Sequence, residues 1–236
     1  MLKADLHLHA REDIQDAVNY TVKELIDHMA SKGFQVIALT FHDQSYKSEE
    51  MNKYAKSKGI LIIPGIERTI KGRHVLIYNL DPKKAEEIKD FEDLKNIKNE
   101  NTLIIAPHPY FYICSIGNKR LRKHIQYFDA IEHSSFYQNF YNRNKKGIKT
   151  AKEFNKPIMG NTDAHDLRQI DNTYTLIDSK QDINSVIKAI KANKVQLVTK
   201  PLPFSVFFKT LFDMILLSPV KKYRRRKNQP KGFYIQ

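Results

Sequence analysis

The stretch Asp5-Leu6-His7-Leu8-His9 ends a run, residues 2–8, whose alternation of apolar and polar side chains predicts a first β-strand. Side chains in an extended segment point alternately to the two faces, so Asp5, His7 and His9 share one face. Two imidazoles and a carboxylate on one face at a strand end indicate the start of a metal site. A partly exposed polar strand face is the alternative interpretation.

The composition favours a soluble globular protein of 236 residues, long enough to bury a substantial core in one or two domains. Its single cysteine, Cys114, excludes an intramolecular disulfide and a metal site dominated by thiolates, and it fits a cytoplasmic location. No apolar segment reaches transmembrane length without a charge, and the N-terminus lacks a signal-peptide core. The net charge of +14 favours anionic partners: phosphorylated substrates, nucleic acid or an anionic lipid surface.

Seven apolar runs predict seven strands, most of them separated by segments with helical periodicity. The runs occupy residues 2–8, 36–40, 60–64, 74–78, 103–106, 128–131 and 157–160. Helices are predicted over residues 22–31, 48–58, 83–98, 143–154 and 182–193, and further strand-like pieces over 173–177 and 195–198. This alternation favours βα units in a parallel sheet or barrel.

Histidines and carboxylates cluster at the ends of these runs. In a parallel α/β barrel the C-terminal strand ends face one cavity, so ligands scattered along the sequence would meet in space. A single strand-end histidine could equally satisfy a buried backbone group, but six histidines with three carboxylates favour metal binding. Imidazole and carboxylate without thiolate suit zinc, manganese or iron, and so many ligands imply more than one ion. The candidates are His7, His9, Asp13, His42, Glu67, His74, His108, Asp163 and His165.

These motifs resemble the polymerase and histidinol phosphatase (PHP) superfamily. The matching segments are Asp5-Leu-His7-Leu-His9, Leu-Thr-Phe-His42-Asp, Pro-Gly-Ile-Glu67, His74-Val-Leu-Ile-Tyr, Ala-Pro-His108-Pro and Thr-Asp163-Ala-His165. Their order and spacing cover residues 1 to about 170. The resemblance implies an α/β fold, a distorted (β/α)7 TIM-like barrel (the PHP fold) over residues 1–199, with a trinuclear metal centre.

The resemblance also implies which residues hold two to three divalent transition metal ions (zinc, manganese or iron). The first set is His7, His9, Glu67 and Asp163. In the second set Glu67 bridges to a second ion, which His74 and His108 also bind. The third set is His42 and His165 with an acidic or histidine side chain from the loop after His9. Asp13 is preferred for that acidic ligand and Glu12 is its rival, because the loop is shorter than is common in the family. Phe41 stands where the family usually has an aspartate, which puts a supporting carboxylate in doubt.

The implied reaction is hydrolysis of a phosphomonoester, a small metabolite or nucleotide monophosphate, by attack of a metal-bound hydroxide. The residues expected to carry it are Glu67, Asp163 and His165. Arg168 and Arg11, with Arg68, are candidates for gripping the phosphate, or else ordinary surface arginines. His133 is a candidate substrate contact, an extra ligand or an unremarkable loop histidine.

Two other functions remain open from the sequence. One is a nuclease or nucleic-acid phosphodiesterase; the other is a non-catalytic RNA- or partner-binding PHP module. The nearly complete ligand set argues against the second. The absence of a recognisable nucleic-acid module favours a small phosphorylated substrate over nucleic acid.

The C-terminal residues 200–236 are predicted as a separate unit. Apolar side chains at spacings of three and four predict an amphipathic helix over residues 204–217, and six basic residues follow within 221–227. Three interpretations stay open: a closing helix packed on the barrel, an interfacial helix on an anionic membrane, or a nucleic-acid-binding tail. The second would make a cytoplasmic protein peripheral at the membrane.

Overall fold

Nine strands pair into one sheet in the computed structural model, which describes residues 1–111 and 114–213. The strands are β1 (Leu2–Leu8), β2 (Val36–Leu39), β3 (Leu61–Ile70), β4 (Arg73–Tyr78), β5 (Leu103–Ala106), β6 (Ala130–Ser134), β7 (Ile158–Asn161), β8 (Thr173–Ile177) and β9 (Val195–Thr199). Their order across the sheet is β7-β6-β5-β4-β3-β2-β1-β8-β9. All seven predicted strands are therefore present, with the two further pieces as β8 and β9.

The sheet is mixed, which corrects the expectation of a parallel one. Strands β1, β2 and β3 pair in parallel, as do β5, β6 and β7, but β4 pairs antiparallel with both of its neighbours. Strands β8 and β9 are antiparallel additions beside β1. The cause at β4 is a tight turn at Lys71 and Gly72, both with positive φ, which joins β3 and β4 as a hairpin.

Helices pack on both faces of the sheet. They are α1 (Val22–Ser31), α2 (Glu49–Ser57), α3 (Pro82–Glu87), α4 (Leu94–Ile97), α5 (Asn118–His124), α6 (Asn144–Glu153), α7 (Ile183–Lys191) and α8 (Phe204–Phe212). The prediction of one helix over residues 83–98 is wrong, because α3 ends before a 3-10 turn, Phe91–Asp93, that leads into α4. The Asp90 side chain accepts from the Phe91 N–H at 2.7 Å and so begins a new helical segment there.

Strand β7 closes the barrel against β1 and β8 through single hydrogen bonds. The Leu6 N–H donates to Asn161 Oδ1 at 2.9 Å, and the Gly160 N–H donates to Thr175 Oγ1 at 2.8 Å. The Asp163 N–H donates to the His7 carbonyl at 3.0 Å. The predicted barrel is therefore confirmed as a distorted, nearly closed one, and the ends of β1 and β7 meet at its mouth.

Helix α8 packs on the barrel. Val206 and Phe207 are buried, and the Phe207 ring stacks on Phe136 with centroids 4.6 Å apart. On its other side, Phe204 and Phe208 are 62% and 55% exposed. The predicted basic cluster at residues 221–227 lies outside the described residues, and no described helix is long and apolar enough to cross a membrane.

The closure of the barrel can be tested at Gly160, where a Cβ atom would lie 2.5 Å from Leu197 Cδ1 and 2.7 Å from the Tyr174 carbonyl oxygen. Because backbone must move, Gly160→Ala should lower the free energy of unfolding by about 1–3 kcal/mol. Thermal unfolding should show this as a fall in Tm of about 2–4 °C per kcal/mol.

The matched control is Gly147→Ala in α6, where the nearest atom to a new Cβ lies 3.7 Å away. This variant should gain about 0.4–1 kcal/mol from the lower entropy of its unfolded chain. Equal Tm changes in the two variants would contradict a tight contact between β7 and β8.

Candidate metal centre

The carboxylate of Glu67 lies at the centre of the site, 1% exposed and surrounded by histidines. Its two oxygens face different imidazoles, and this division is the main feature of the geometry. Oε2 lies 3.4 Å from His7 Nε2 and 3.3 Å from both His9 Nε2 and His42 Nε2. Oε1 lies 2.6 Å from His74 Nδ1 and 3.4 Å from His108 Nε2.

Strand pairing explains how Glu67 reaches two of these histidines. Glu67 lies inside β3 and not at a strand end as predicted, because β3 continues to the hairpin turn at residue 71. It pairs with Leu76 of β4, so His74 is its diagonal cross-strand neighbour on the same face. On the other side, an isolated parallel bridge joins Glu67 to His42.

Asp163 completes the inner group from the loop after β7. Its Oδ1 lies 3.3 Å from His9 Nε2 and 3.5 Å from His7 Nε2, while Oδ2 lies 4.0 Å from His108 Nε2. Its backbone φ of 50° is left-handed, a conformation that aspartate tolerates better than most residues. The side chain is 27% exposed, so Asp163 faces the opening of the site.

Asp13, the preferred acidic candidate, lies behind two of the rings. Its Oδ2 is 2.9 Å from His9 Nδ1 and 2.8 Å from His42 Nδ1, and it also accepts from the His42 N–H at 3.0 Å. A carboxylate on the rear nitrogen of an imidazole fixes the orientation of the ring. The rival Glu12 lies elsewhere, since its carboxylate accepts from the Val22 N–H at the start of α1 at 3.1 Å.

Two buried carboxylates of the site were not predicted. Asp16 Oδ2 lies 2.5 Å from His165 Nε2, and one donor atom from Asp16 lies within 4.8 Å of donors from His9, Asp13 and His42. A second carboxylate three residues after Asp13 was the available signal. His165 itself thus contacts Asp16 from the loop after β7.

Glu132 is the second unpredicted carboxylate. Its Oε1 lies 2.9 Å from His7 Nδ1, and it accepts from Asn161 Nδ2 at 2.9 Å and from the His108 N–H at 2.7 Å. It therefore supports one ring and one loop of the site together. Its place at the end of the sixth apolar run was the signal in the sequence.

The four candidate substrate residues have partners outside this cluster. Arg168 forms a two-pronged pair with Asp166, at 2.9 and 2.6 Å, and its side chain is 56% exposed. Arg11 donates to the Asn19 carbonyl, and Arg68 donates to Asp43. His133 is buried in β6 and packs edge-on against Tyr137. Burial lowers the pKa of the His133 imidazole to about 4.

The carboxylates control the protonation of the histidines. Burial lowers the pKa of His74, but the charge of Glu67 outweighs it and raises that pKa to about 10. Burial likewise lowers the pKa of His165, and the charges of Asp16 and Asp163 raise it to about 9. In the metal-free site both imidazoles therefore hold protons at neutral pH, where a cation would compete for the same nitrogens.

The donors fit a transition metal ion. His7 Nε2 and His9 Nε2 are buried and have no hydrogen-bond partner among the described residues. Their distances to Glu67 Oε2 and Asp163 Oδ1 are 3.3–3.5 Å. A tetrahedral ion with bonds of about 2.0–2.1 Å holds its ligand atoms roughly 3.3–3.4 Å apart, which these histidine–carboxylate distances approach. One donor atom each from His7, His9 and Glu67 also lie within 4.8 Å of one another.

Comparison with known proteins agrees with this geometry. The family model described as the PHP domain matches residues 5–146, and the model described as PHP-associated matches residues 142–195. An uncharacterized protein from Methanocaldococcus jannaschii is 30% identical over 131 residues, which are 51% of this chain and 75% of that protein.

Solved structures share the fold. A two-domain protein from Bacteroides vulgatus, which contains a predicted PHP-like metal-dependent phosphoesterase, superposes with a TM-score of 0.68 at 19% identity over 90% of this chain and 69% of that one. The lesion-specific endonuclease PfuEndoQ from Pyrococcus furiosus superposes with a TM-score of 0.53 at 14% identity over 83% of this chain and 57% of that one. Since the PHP domain model covers more than half of the chain, this protein is a member of the PHP domain family, as its sequence motifs indicated.

Proposed function

We propose that this protein hydrolyses phosphoric esters with two to three divalent transition metal ions held at the barrel mouth. The observation that carries the proposal is the Glu67 carboxylate, whose two oxygens face two different groups of histidines. A buried carboxylate with one oxygen toward each group of histidines is a donor arrangement that suits two neighbouring ions. Zinc, manganese and iron all suit these nitrogen and oxygen donors.

Three donor sets would hold the ions. His7, His9, Glu67 and Asp163 would form the first set, and Glu67, His74 and His108 the second. His42 and His165 would belong to the third set with a carboxylate from the loop after His9. We assign that carboxylate to Asp16, because it faces His165 directly, whereas Asp13 contacts the rear nitrogens of His9 and His42.

The residues around the ions have distinct tasks. When bound, the ions lower the pKa of a water molecule and offset charge on the phosphoryl oxygens. Asp163, at the opening, keeps its negative charge because the neighbouring His7 and His9 outweigh the effect of burial and lower its pKa. It can therefore accept a hydrogen bond from the attacking water and align it with phosphorus. Glu132 and Asp13 keep the imidazoles aimed at the centre.

A small phosphomonoester is the substrate class favoured by the sequence, and a nucleic-acid phosphoester is the second candidate. The net charge of +14 and the fold shared with a lesion-specific endonuclease support the second. The cytoplasmic location and the anionic membrane surface as a partner stay predictions from the sequence.

The proposed reaction can be tested with phosphomonoesters, phosphodiesters and short oligonucleotides in the presence of added manganese or zinc. Glu67→Gln should lose bound metal and hydrolysis together by about 10–100-fold or more, because it removes the shared charge while keeping the side-chain volume. Glu86→Gln, at an exposed glutamate of α3, is the control and should behave as the wild type. A metal-reconstituted wild type that hydrolyses no substrate of the panel would contradict the proposal.

The third donor set can be tested by metal analysis after equilibrium dialysis. Asp16→Asn should lose about one equivalent of metal, because it removes the carboxylate that faces His165. Asp13→Asn should keep every direct donor but weaken metal binding by about 10–100-fold, since His9 and His42 lose their orienting partner. Glu12→Gln is the control and should bind metal normally. Loss of an ion from the Asp13 variant with none from the Asp16 variant would return the ligand role to Asp13.

Metal uptake should also release protons. The pKa of His74 is raised to about 10 and that of His165 to about 9, so both are protonated near neutral pH until a cation displaces the protons. Apparent metal affinity should consequently rise as the pH rises toward these values. Calorimetric titrations in buffers of different ionisation enthalpy measure the protons released per ion. Uptake without proton release, and with pH-independent affinity, would be the opposite result.

A further inference from the structure

The positive charge of the described residues is concentrated in one segment. Residues 118–156 contain ten lysines and arginines against three carboxylates. The other described residues contain 23 basic and 23 acidic side chains, so they carry no formal net charge. The whole excess of the described chain therefore lies in α5, α6 and the residues around them.

Helices α5 and α6 meet at Tyr110, whose hydroxyl contacts Asn118 Oδ1 at 3.2 Å and Thr150 Oγ1 at 2.5 Å. A cleft of about 230 Å³ lies here and is lined by Tyr110, Asn118, Arg122, Lys146, Lys149 and Thr150. A second cleft of about 750 Å³ shares Asn118 and adds Lys119, Arg120 and Lys123, together with the carboxylates Asp90 and Glu92. We call Lys119, Arg120, Arg122, Lys123, Lys145, Lys146 and Lys149 the α5–α6 basic surface.

This surface adjoins the metal centre. Tyr110 follows His108 by two residues, and the ring of the next residue, Phe111, packs edge-on against His108 with centroids 6.5 Å apart. Arg143, at the start of α6, donates to the Tyr110 carbonyl at 3.3 Å. A ligand in the smaller cleft would thus touch the loop that carries one of the proposed metal ligands.

The lysines of α6 cost stability where they stand. Lys145 and Lys149 are one turn apart, so their like charges repel each other. Lys145 and Lys146 also occupy the first turn, where the helix dipole disfavours cations. All three are exposed, and none forms an ion pair with a carboxylate among the described residues. Only Glu153, one turn after Lys149, offsets part of this charge. A lysine cluster that breaks these local rules indicates a function for the charge.

Exposed aromatic rings lie beside the same segment. Phe140, in the loop before α6, is 69% exposed, and its ring lies nearly parallel to that of Phe204, which is 62% exposed. Phe140 precedes Lys145 by five residues, so the segment that carries the basic side chains also carries an exposed ring. Basic side chains and exposed aromatic faces together are the combination that binds single-stranded nucleic acid, with phosphates on the lysines and bases on the rings. The concave clefts suit a chain of phosphates better than they suit a flat lipid surface.

We propose that single-stranded nucleic acid binds along the α5–α6 basic surface, with bases on Phe140, and that this surface leads a phosphoester of the strand to the metal centre. Only the delivery of the ester rests on the proposed function, since binding to the surface does not require hydrolysis.

Binding is measured by fluorescence anisotropy with a labelled single-stranded oligothymidine, on the full chain stripped of metal with EDTA, over a range of salt concentrations. The triple variant Lys145→Ala, Lys146→Ala, Lys149→Ala should bind more weakly, and its slope of log K against log salt should be shallower by about 2. Phe140→Ala should weaken binding by about five- to a hundredfold, because it removes a stacking face. The control replaces Lys53, Lys56 and Lys188, exposed lysines of α2 and α7, and should keep the wild-type slope.

The basic residues 221–227 are present in every variant, so differences report the surface alone. A triple variant with the affinity and slope of the control would overturn the proposal. Loss of binding to phosphatidylserine vesicles in the triple variant, with oligonucleotide binding unchanged, would also overturn it and assign the surface to a membrane. Because the assay involves no turnover, a failure of hydrolysis leaves these results unaffected.

Discussion

The buried charge of Glu67 is the constraint on which the rest of the site depends. An ionised carboxylate removed from water costs many kcal/mol unless its environment supplies opposite charge and hydrogen bonds. Here five imidazoles face its two oxygens, and burial alone would raise a pKa that these neighbours keep well below the usual value. The long β3 strand, its hairpin with β4 and the bridge to His42 all serve to bring those imidazoles to one carboxylate.

The histidines in turn require their own supports. Glu132 contacts His7 Nδ1, Asp13 contacts Nδ1 of His9 and His42, and Asp16 contacts His165. With Glu67 and Asp163 the site collects five carboxylates inside a protein of net charge +14. When its imidazoles are neutral, such a site carries a strong local negative charge that only protons or metal cations can offset. Cation binding is therefore part of the stability of this barrel mouth as well as part of its chemistry.

The sequence predicted the parts of the site that depend on strand ends. His7, His9, His42 and His108 follow apolar runs, and parallel strands carry such ends to one mouth. The roles of residues in loops could not be predicted, because they depend on the path of the loop. Asp13 and Asp16 are three positions apart, and only the folded structure shows that Asp16 contacts His165 Nε2 while Asp13 contacts Nδ1 of His9 and His42. The same limit applies to the fold. The turn at Lys71 and Gly72 makes an antiparallel hairpin in a chain predicted to form mainly βα units, and the Asp90 cap interrupts a segment with helical composition.

The structure places two groups of charge near the mouth of this barrel. The net charge alone predicts only that the favoured partner is negatively charged, whereas the structure separates a carboxylate-rich interior from a basic surface on α5 and α6. The carboxylates raise the pKa of His7 and His9 well above its ordinary value despite their burial, and that of His74 and His165 to about 10 and 9. Protons on these imidazoles therefore offset much of the carboxylate charge while no metal is bound. Cations bound in their place would displace the protons and bring more positive charge, so they would strengthen the attraction of the interior for a phosphoester. The lysines of the outer surface would act before this step, because they would raise the local concentration of an anionic substrate.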